Sequence, residues 1–205
     1  MRVVAPRRAE PTTGSAFTGT LQLLRPSSAD LTDAAFVLGL GLVALAAWAS
    51  TFSTATYLAV GALGLLLGVL AAHVTNALRW HWVTAVGIVV VLYALLGGVV
   101  ALRDDLVAGF LPSAKTIRGR AHGAVGGWKD LLTTLAPVPG DFEFLVLPWL
   151  VGLVFGAGAH LLARRTRSVW GPPALAVGLL AGTILLGSFV AATPLAVGVL
   201  GTLGV

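Results

Sequence analysis

The chain has 205 residues, of which 57% are apolar, 10% are charged and none is Cys. Soluble domains carry about 25% charged residues, so this balance excludes a disordered chain and an ordinary soluble domain and points to an all-α, polytopic helical membrane bundle. Thirteen Lys and Arg against eight Asp and Glu give a net charge of +5. The basic residues are scattered between apolar runs, which fits topology signals and lipid headgroups and argues against nucleic acid as a partner. The lack of Cys excludes disulfides, thiolate metal ligands and a cysteine nucleophile.

Residues 1–33 read as a polar, largely flexible cytoplasmic tail, with Arg2, Arg7, Arg8 and Arg25 among Pro, Ser and Thr. No apolar core and cleavage site follow the first arginines, so a signal peptide is not expected. Leu21–Leu24 is short and apolar enough to touch the bilayer surface.

Five segments without Asp, Glu, Lys or Arg come next: Ala34–Phe52, Ala55–Ala77, Trp82–Leu102, Phe144–Ala163 and Pro173–Ala192. Each meets the need for about 20 apolar residues to cross about 30 Å of hydrocarbon as a helix. Only a helix satisfies its own backbone there, so residues 34–205 are expected to form one helical transmembrane domain. Thr51–Thr56 and Asn76–Trp82 are tight connections, and Arg164–Pro172 is a short basic loop. A sixth apolar stretch, Pro194–Val205, is too short to span, and its uncharged end suggests a piece of a longer protein.

Orientation follows from the basic residues beside the helices. With the N-terminus inside, Arg2, Arg7, Arg8, Arg25, Arg79, Arg164, Arg165 and Arg167 are cytoplasmic, eight in all. Arg103, Lys115, Arg118, Arg120 and Lys129 are outside, five in all. Arg79, Arg164, Arg165 and Arg167 are the topology and headgroup markers. Trp48, Phe52 and Tyr57 are expected at the outer interface, and Trp80, Trp82 and Trp170 at the inner one.

The outer excursion 103–143 carries a helical stripe of Ile117, Ala121, Val125, Trp128, Leu131, Leu132 and Leu135 behind the cap residue Ser113. This predicts an amphipathic interfacial helix over 113–135, with Ile117, Trp128 and Leu132 toward lipid or the bundle top and a break near Gly126-Gly127.

No predicted span contains an ionisable carboxylate or basic group, which speaks against a coupled carrier. His73 and Asn76 share a face one turn apart, and His160 lies one turn before Arg164. Metal binding or proton relay is the functional reading of these residues. An interhelical hydrogen bond or a headgroup contact is the plainer one and is preferred. Small-xxx-small pairs Gly64/Gly68, Gly152/Gly156 and Gly178/Gly182 are expected to pack helices together. Pro148 falls in the first turn if its helix starts near Phe144. Phosphate-loop, zinc-protease and serine-hydrolase motifs are absent, so no catalytic residue, metal or cofactor is expected.

The layout of three helices, a long outer loop ending Ala136-Pro-Val-Pro-Gly-Asp141, a fourth helix, and then His160-Leu-Leu-Ala-Arg-Arg-Thr-Arg-Ser-Val-Trp-Gly-Pro-Pro-Ala-Leu-Ala-Val before a fifth resembles a known arrangement. It is similar to the N-terminal membrane region of bacterial, especially actinobacterial, membrane-anchored transglutaminase-like proteins. The resemblance implies further helices and an extracytoplasmic catalytic domain elsewhere in such a protein, with this region as a non-catalytic anchor. Its partners would be membrane lipid, other membrane helices and that missing domain. A small integral membrane subunit that binds lipid or assists a transporter is the alternative.

Overall fold

A computed structural model describes residue 22 and residues 24–101, 106–107, 111–112, 126–134, 136–138, 142–166 and 170–185. In chain order the elements are α1 (Ser28–Ala46), a 3-10 turn (Ala47–Ser50), α2 (Thr56–Ala77), α3 (Trp82–Ala101), the two-residue strands β1 (Leu106–Val107) and β2 (Leu111–Pro112), α4 (Gly127–Thr133), α5 (Phe142–Arg165) and α6 (Gly171–Leu185). The strands form a small antiparallel pair, with Leu106 opposite Pro112 and Val107 opposite Leu111. Three of the described helical stretches are long and apolar enough to cross a membrane: Ser28–Ser50, Thr56–Ala77 and Phe144–Arg165. The protein is a multi-pass helical membrane protein.

α1 starts before the charge-free segment does. The Ser27 hydroxyl accepts from the Asp30 amide at 3.2 Å, and the Ser27 amide donates to the Asp30 carboxylate at 2.8 Å. This capping box satisfies two otherwise orphaned donors and puts a negative charge at the helix's positive end. The helix therefore takes in Ser28–Asp33, which the sequence reading assigns to the flexible tail. Counting charge-free residues finds the hydrocarbon-spanning part of a helix and misses the turn that stands outside it.

α2 ends in a Schellman turn. The Trp80 amide donates to the Thr75 carbonyl at 2.9 Å and the Arg79 amide to the Asn76 carbonyl at 3.0 Å. The turn places Arg79 at φ 55°, a left-handed backbone that normally selects Gly. Relief of the Cβ penalty by Arg79→Gly is expected to stabilise the purified protein by about 1 kcal/mol, read as a rise in its unfolding midpoint in detergent.

α5 begins at Phe142, so Pro148 lies inside the helix and beyond its first turn. Its ring removes one backbone donor in mid-helix. α6 opens on Gly171-Pro172-Pro173, where the missing donors of proline cost nothing because the first helical amides lack partners anyway. The predicted run of this helix to Ala192 lies partly outside the described residues.

α2 and α5 form the centre of the bundle and make its most extensive contact. They run parallel: Gly61 and Leu65 of α2 meet Gly152, and Leu65 and Val69 meet Gly156. α1, α3 and α6 run the opposite way around them. One end of the bundle carries Asp30, Asp33, His73, Trp80, Arg164 and Arg165, and the other carries Trp48, Phe52, Tyr57 and Trp149. Outward-facing residues of α3 (Val83, Val86, Val90, Val91 and Leu95) are exposed and apolar, as a helix facing lipid requires.

At the second end, Trp48, Phe52 and Tyr57 occupy the core and not an outer interface. The Phe52 and Tyr57 rings stack with centroids 4.8 Å apart, and the Trp48 indole N–H donates to the Thr183 carbonyl at 3.1 Å. They are covered by the returning segment 136–138. The Val138 amide donates to the Thr51 carbonyl at 2.7 Å and the Val138 carbonyl accepts from the Ser53 amide at 3.0 Å, so the tight connection after α1 pairs with the segment that leads into α5. Val138 itself is fully buried. Within the predicted interfacial helix, only Gly127–Thr133 is a described helix. Gly126 stands at its N-cap, Leu131 is buried and Leu132 is 61% exposed. Trp128 packs against the core, while Ile117 lies outside the described residues.

Candidate functional site

The glycines of α2 and α5 decide what stands at the arginine end. A Cβ built on Gly64 would lie 2.6 Å from the Trp149 carbonyl oxygen. One on Gly68 would overlap the Leu153 carbonyl, one on Gly152 that of Gly61, and one on Gly156 that of Leu65. The two backbones touch, which lipid-embedded helices achieve only through small residues. Gly61 belongs to this seam and escapes the sequence reading, although its seven-residue spacing to Gly68 is visible there. Gly178 and Gly182, by contrast, meet nothing within 4 Å among the described residues.

Gly152, Gly156 and His160 follow one another at four-residue spacing along α5, so His160 continues the glycine face. Opposite it α2 presents Ala71, Ala72 and Thr75, all buried. The Thr75 hydroxyl donates to the Ala71 carbonyl at 2.8 Å. Small side chains here leave room for an imidazole. His160 is only 1% exposed, and neither of its ring nitrogens has a hydrogen-bond partner among the described residues. That differs from the expected interhelical hydrogen bond or headgroup contact, because the seam draws this face of α5 into the interior.

Facing it is His73, with ring centroids 6.3 Å apart and the planes tilted by 58°. His73 sits 3.1 Å from the Leu24 carbonyl through Nε2. A carbonyl only accepts, so Nε2 is the donor in this contact, which leaves Nδ1 out of it.

Around the two rings lies a set of closures between helices. Arg164 reaches Asp30 at 2.7 Å and Asp33 at 3.2 Å, joining the end of α5 to the start of α1. Arg165 donates to the Asn76 side-chain oxygen at 2.7 Å and to the Trp80 carbonyl at 2.6 Å, joining α5 to α2 and its turn. The Asn76 Nδ2 group is buried without a partner among the described residues. Arg164 and Arg165 therefore act within the molecule as well as facing its surroundings. Arg79 is exposed, and Arg167 lies outside the described residues. Neither Asp30 nor Asp33 was singled out by the sequence reading, although Ser27-x-x-Asp30 spells a capping box. Among the described residues, no group of three or more His, Cys, Asp or Glu side chains is arranged to hold a metal ion.

A second feature lies on the flank. Between α5 and α6, with Trp128 of α4 at one end, an apolar groove of about 660 Å³ is lined by Val151, Val154, Phe155, Leu162, Leu175 and Gly178. Gly178 thus faces a groove and not a helix.

Compared with known protein families, with characterised proteins and with solved structures, the chain matches none.

Proposed function

We propose that this chain is a non-catalytic integral membrane module that crosses the bilayer five times with its N-terminal side in the cytoplasm, and that it anchors a larger transglutaminase-like protein. The observation that carries the module reading is the glycine seam. Backbone against backbone, α2 and α5 leave no polar lining between the two ends of the bundle, and the ionisable groups close helix ends onto one another. Such a core suits a rigid anchor better than a conduit. The transglutaminase link rests on the layout and the His160–Val177 sequence alone. The basic residues Arg79, Arg164 and Arg165 at the end opposite Trp48 and Tyr57 support the cytoplasmic assignment.

Topology is tested by single cysteines in a chain that has none of its own. Lys115→Cys is expected to react with a membrane-impermeant maleimide in intact cells, and Thr166→Cys only after lysis. The reverse pattern would overturn the orientation. The anchor itself is tested on the full-length gene product. Removal of residues 34–205 is expected to release its extracytoplasmic part from the membrane, whereas a reading frame without such a part refutes the assignment.

The apolar groove between α5 and α6 favours a second reading, a subunit that holds lipid. Val154→Trp would fill the groove. If the second reading holds, this variant co-purifies with measurably less lipid than the parent. If the anchor reading is sufficient, the lipid content is unchanged.

A further inference from the structure

We propose that His73 and His160 form a two-imidazole site for a single first-row transition-metal ion at the arginine end of the bundle. The inference is independent of the anchor reading. It starts from a buried side chain that hydrogen bonding leaves unexplained: His160 is almost wholly enclosed, yet both ring nitrogens lack partners among the described residues. Buried polar atoms are nearly always paired, so an unpaired imidazole calls for a ligand or a bridging group. Among the described residues no acceptor or donor is within hydrogen-bond distance of it, and the nearest ring is a second imidazole, 6.3 Å away between centroids.

The spacing suits a shared ion. Bonds of about 2.0–2.1 Å from each nitrogen to one ion hold two imidazole centres about 4.5–6.4 Å apart, the wide end belonging to a near-linear N–metal–N angle. The observed separation of 6.3 Å falls at that wide end, and closer angles need the rings to approach by about 1–2 Å. The outer partner of His73 is also in place. A metal-bound histidine donates its other N–H to a carbonyl or carboxylate, and the His73–Leu24 contact of 3.1 Å does this and frees Nδ1 for the ion. Asn76 Nδ2, buried and unpartnered among the described residues, stands one turn along α2 from His73 and is the outer-shell donor that this proposal assigns. Access is from the arginine end, where His73 is only half-buried.

With two ligands from the chain, the ion keeps coordination positions for water or an outside ligand. Imidazole suits copper, zinc and nickel, and Cu²⁺ binds a given nitrogen site most tightly in the first-row series. The charge balance is compatible: Asp30 and Asp33 lie around the site and share the single Arg164, with Arg165 committed to Asn76 and Trp80.

The probe is Cu²⁺ added to the purified, tag-free full chain in detergent, read by electron paramagnetic resonance. The expected result is one saturable ion per chain with nitrogen hyperfine structure from two imidazoles. His73→Gln and His160→Gln should each weaken binding at least ten-fold, and His81→Gln, at an exposed turn, should leave it unchanged. Asn76→Leu should weaken binding by roughly ten-fold, as loss of an outer-shell partner does. Helicity by circular dichroism checks each variant. If His160→Gln does not fold, the ring ¹⁵N signals of the parent protein on Zn²⁺ addition decide: shifts of both His73 and His160 support the site. No saturable ion, binding that survives His160→Gln, or shifts confined to His81 overturn it.

Discussion

Gly152→Leu combined with Gly156→Leu is expected to abolish the folded bundle. At both positions an added Cβ overlaps a carbonyl of α2, and backbone cannot swing aside as a flexible side chain can. Overpacking a core costs about 1–3 kcal/mol when neighbours can shift. Here each leucine must push two helices apart along their length, so the pair should cost more than the upper part of that range. The measurement is the yield of monodisperse protein in mild detergent and its helicity. Gly178→Leu with Gly182→Leu serves as the comparison, because those positions meet nothing within 4 Å. It should be tolerated. If the α5 pair is tolerated equally well, the seam does not hold the bundle.

Trp48→Ala is expected to destabilise the protein by about 3–5 kcal/mol, the range for deleting a fully buried large aromatic. Trp48 is 1% exposed, packs near Phe52 with ring centroids 6.0 Å apart, and ties the 3-10 turn to α6 through the Thr183 carbonyl. Trp48→Phe keeps most of the bulk and removes the indole donor. It should cost about 1–2 kcal/mol, the value of a buried hydrogen bond plus a small packing loss. Denaturant or thermal unfolding in detergent measures both. Equal losses for the two variants would place the energy in the hydrogen bond and not in the ring.

Composition made the helices legible, because charge-free runs about as long as the hydrocarbon core is thick have few other uses. Helix starts were less so. The entry of α1 is fixed by Ser27 and Asp30, one polar and one charged and so outside any apolar count, although their spacing states the cap. The glycine pairs 64/68 and 152/156 were visible, but pairing α2 with α5 in parallel was not, since periodicity gives a face and never its partner. The same limit hid the approach of His73 to His160. Each was legible as a polar residue near one end of its helix; that they face one another depends on the rotation of α2 against α5, set by Gly61, Gly64 and Gly68. Trp48 and Tyr57 were misplaced for a related reason. An aromatic at a helix end reads as interfacial until another part of the chain folds over it, and Val138 arrives from far along the sequence.

The parallel pairing of α2 with α5 also orders events during synthesis. α1, α2 and α3 emerge first and can associate through short turns. The seam closes only when α5 follows the long connection 102–141, so its contacts join positions about 90 residues apart, and contacts of such separation form slowly. Until then the glycine face of α2 lies against lipid, with nothing bulky to shield its backbone. A nascent chain that stalls between α3 and α5 would expose a helix surface built for close approach to any passing small-residue face. The interval before α5 inserts is thus when this protein is most open to capture by the wrong neighbour, and slower translation through residues 103–141 should lengthen it.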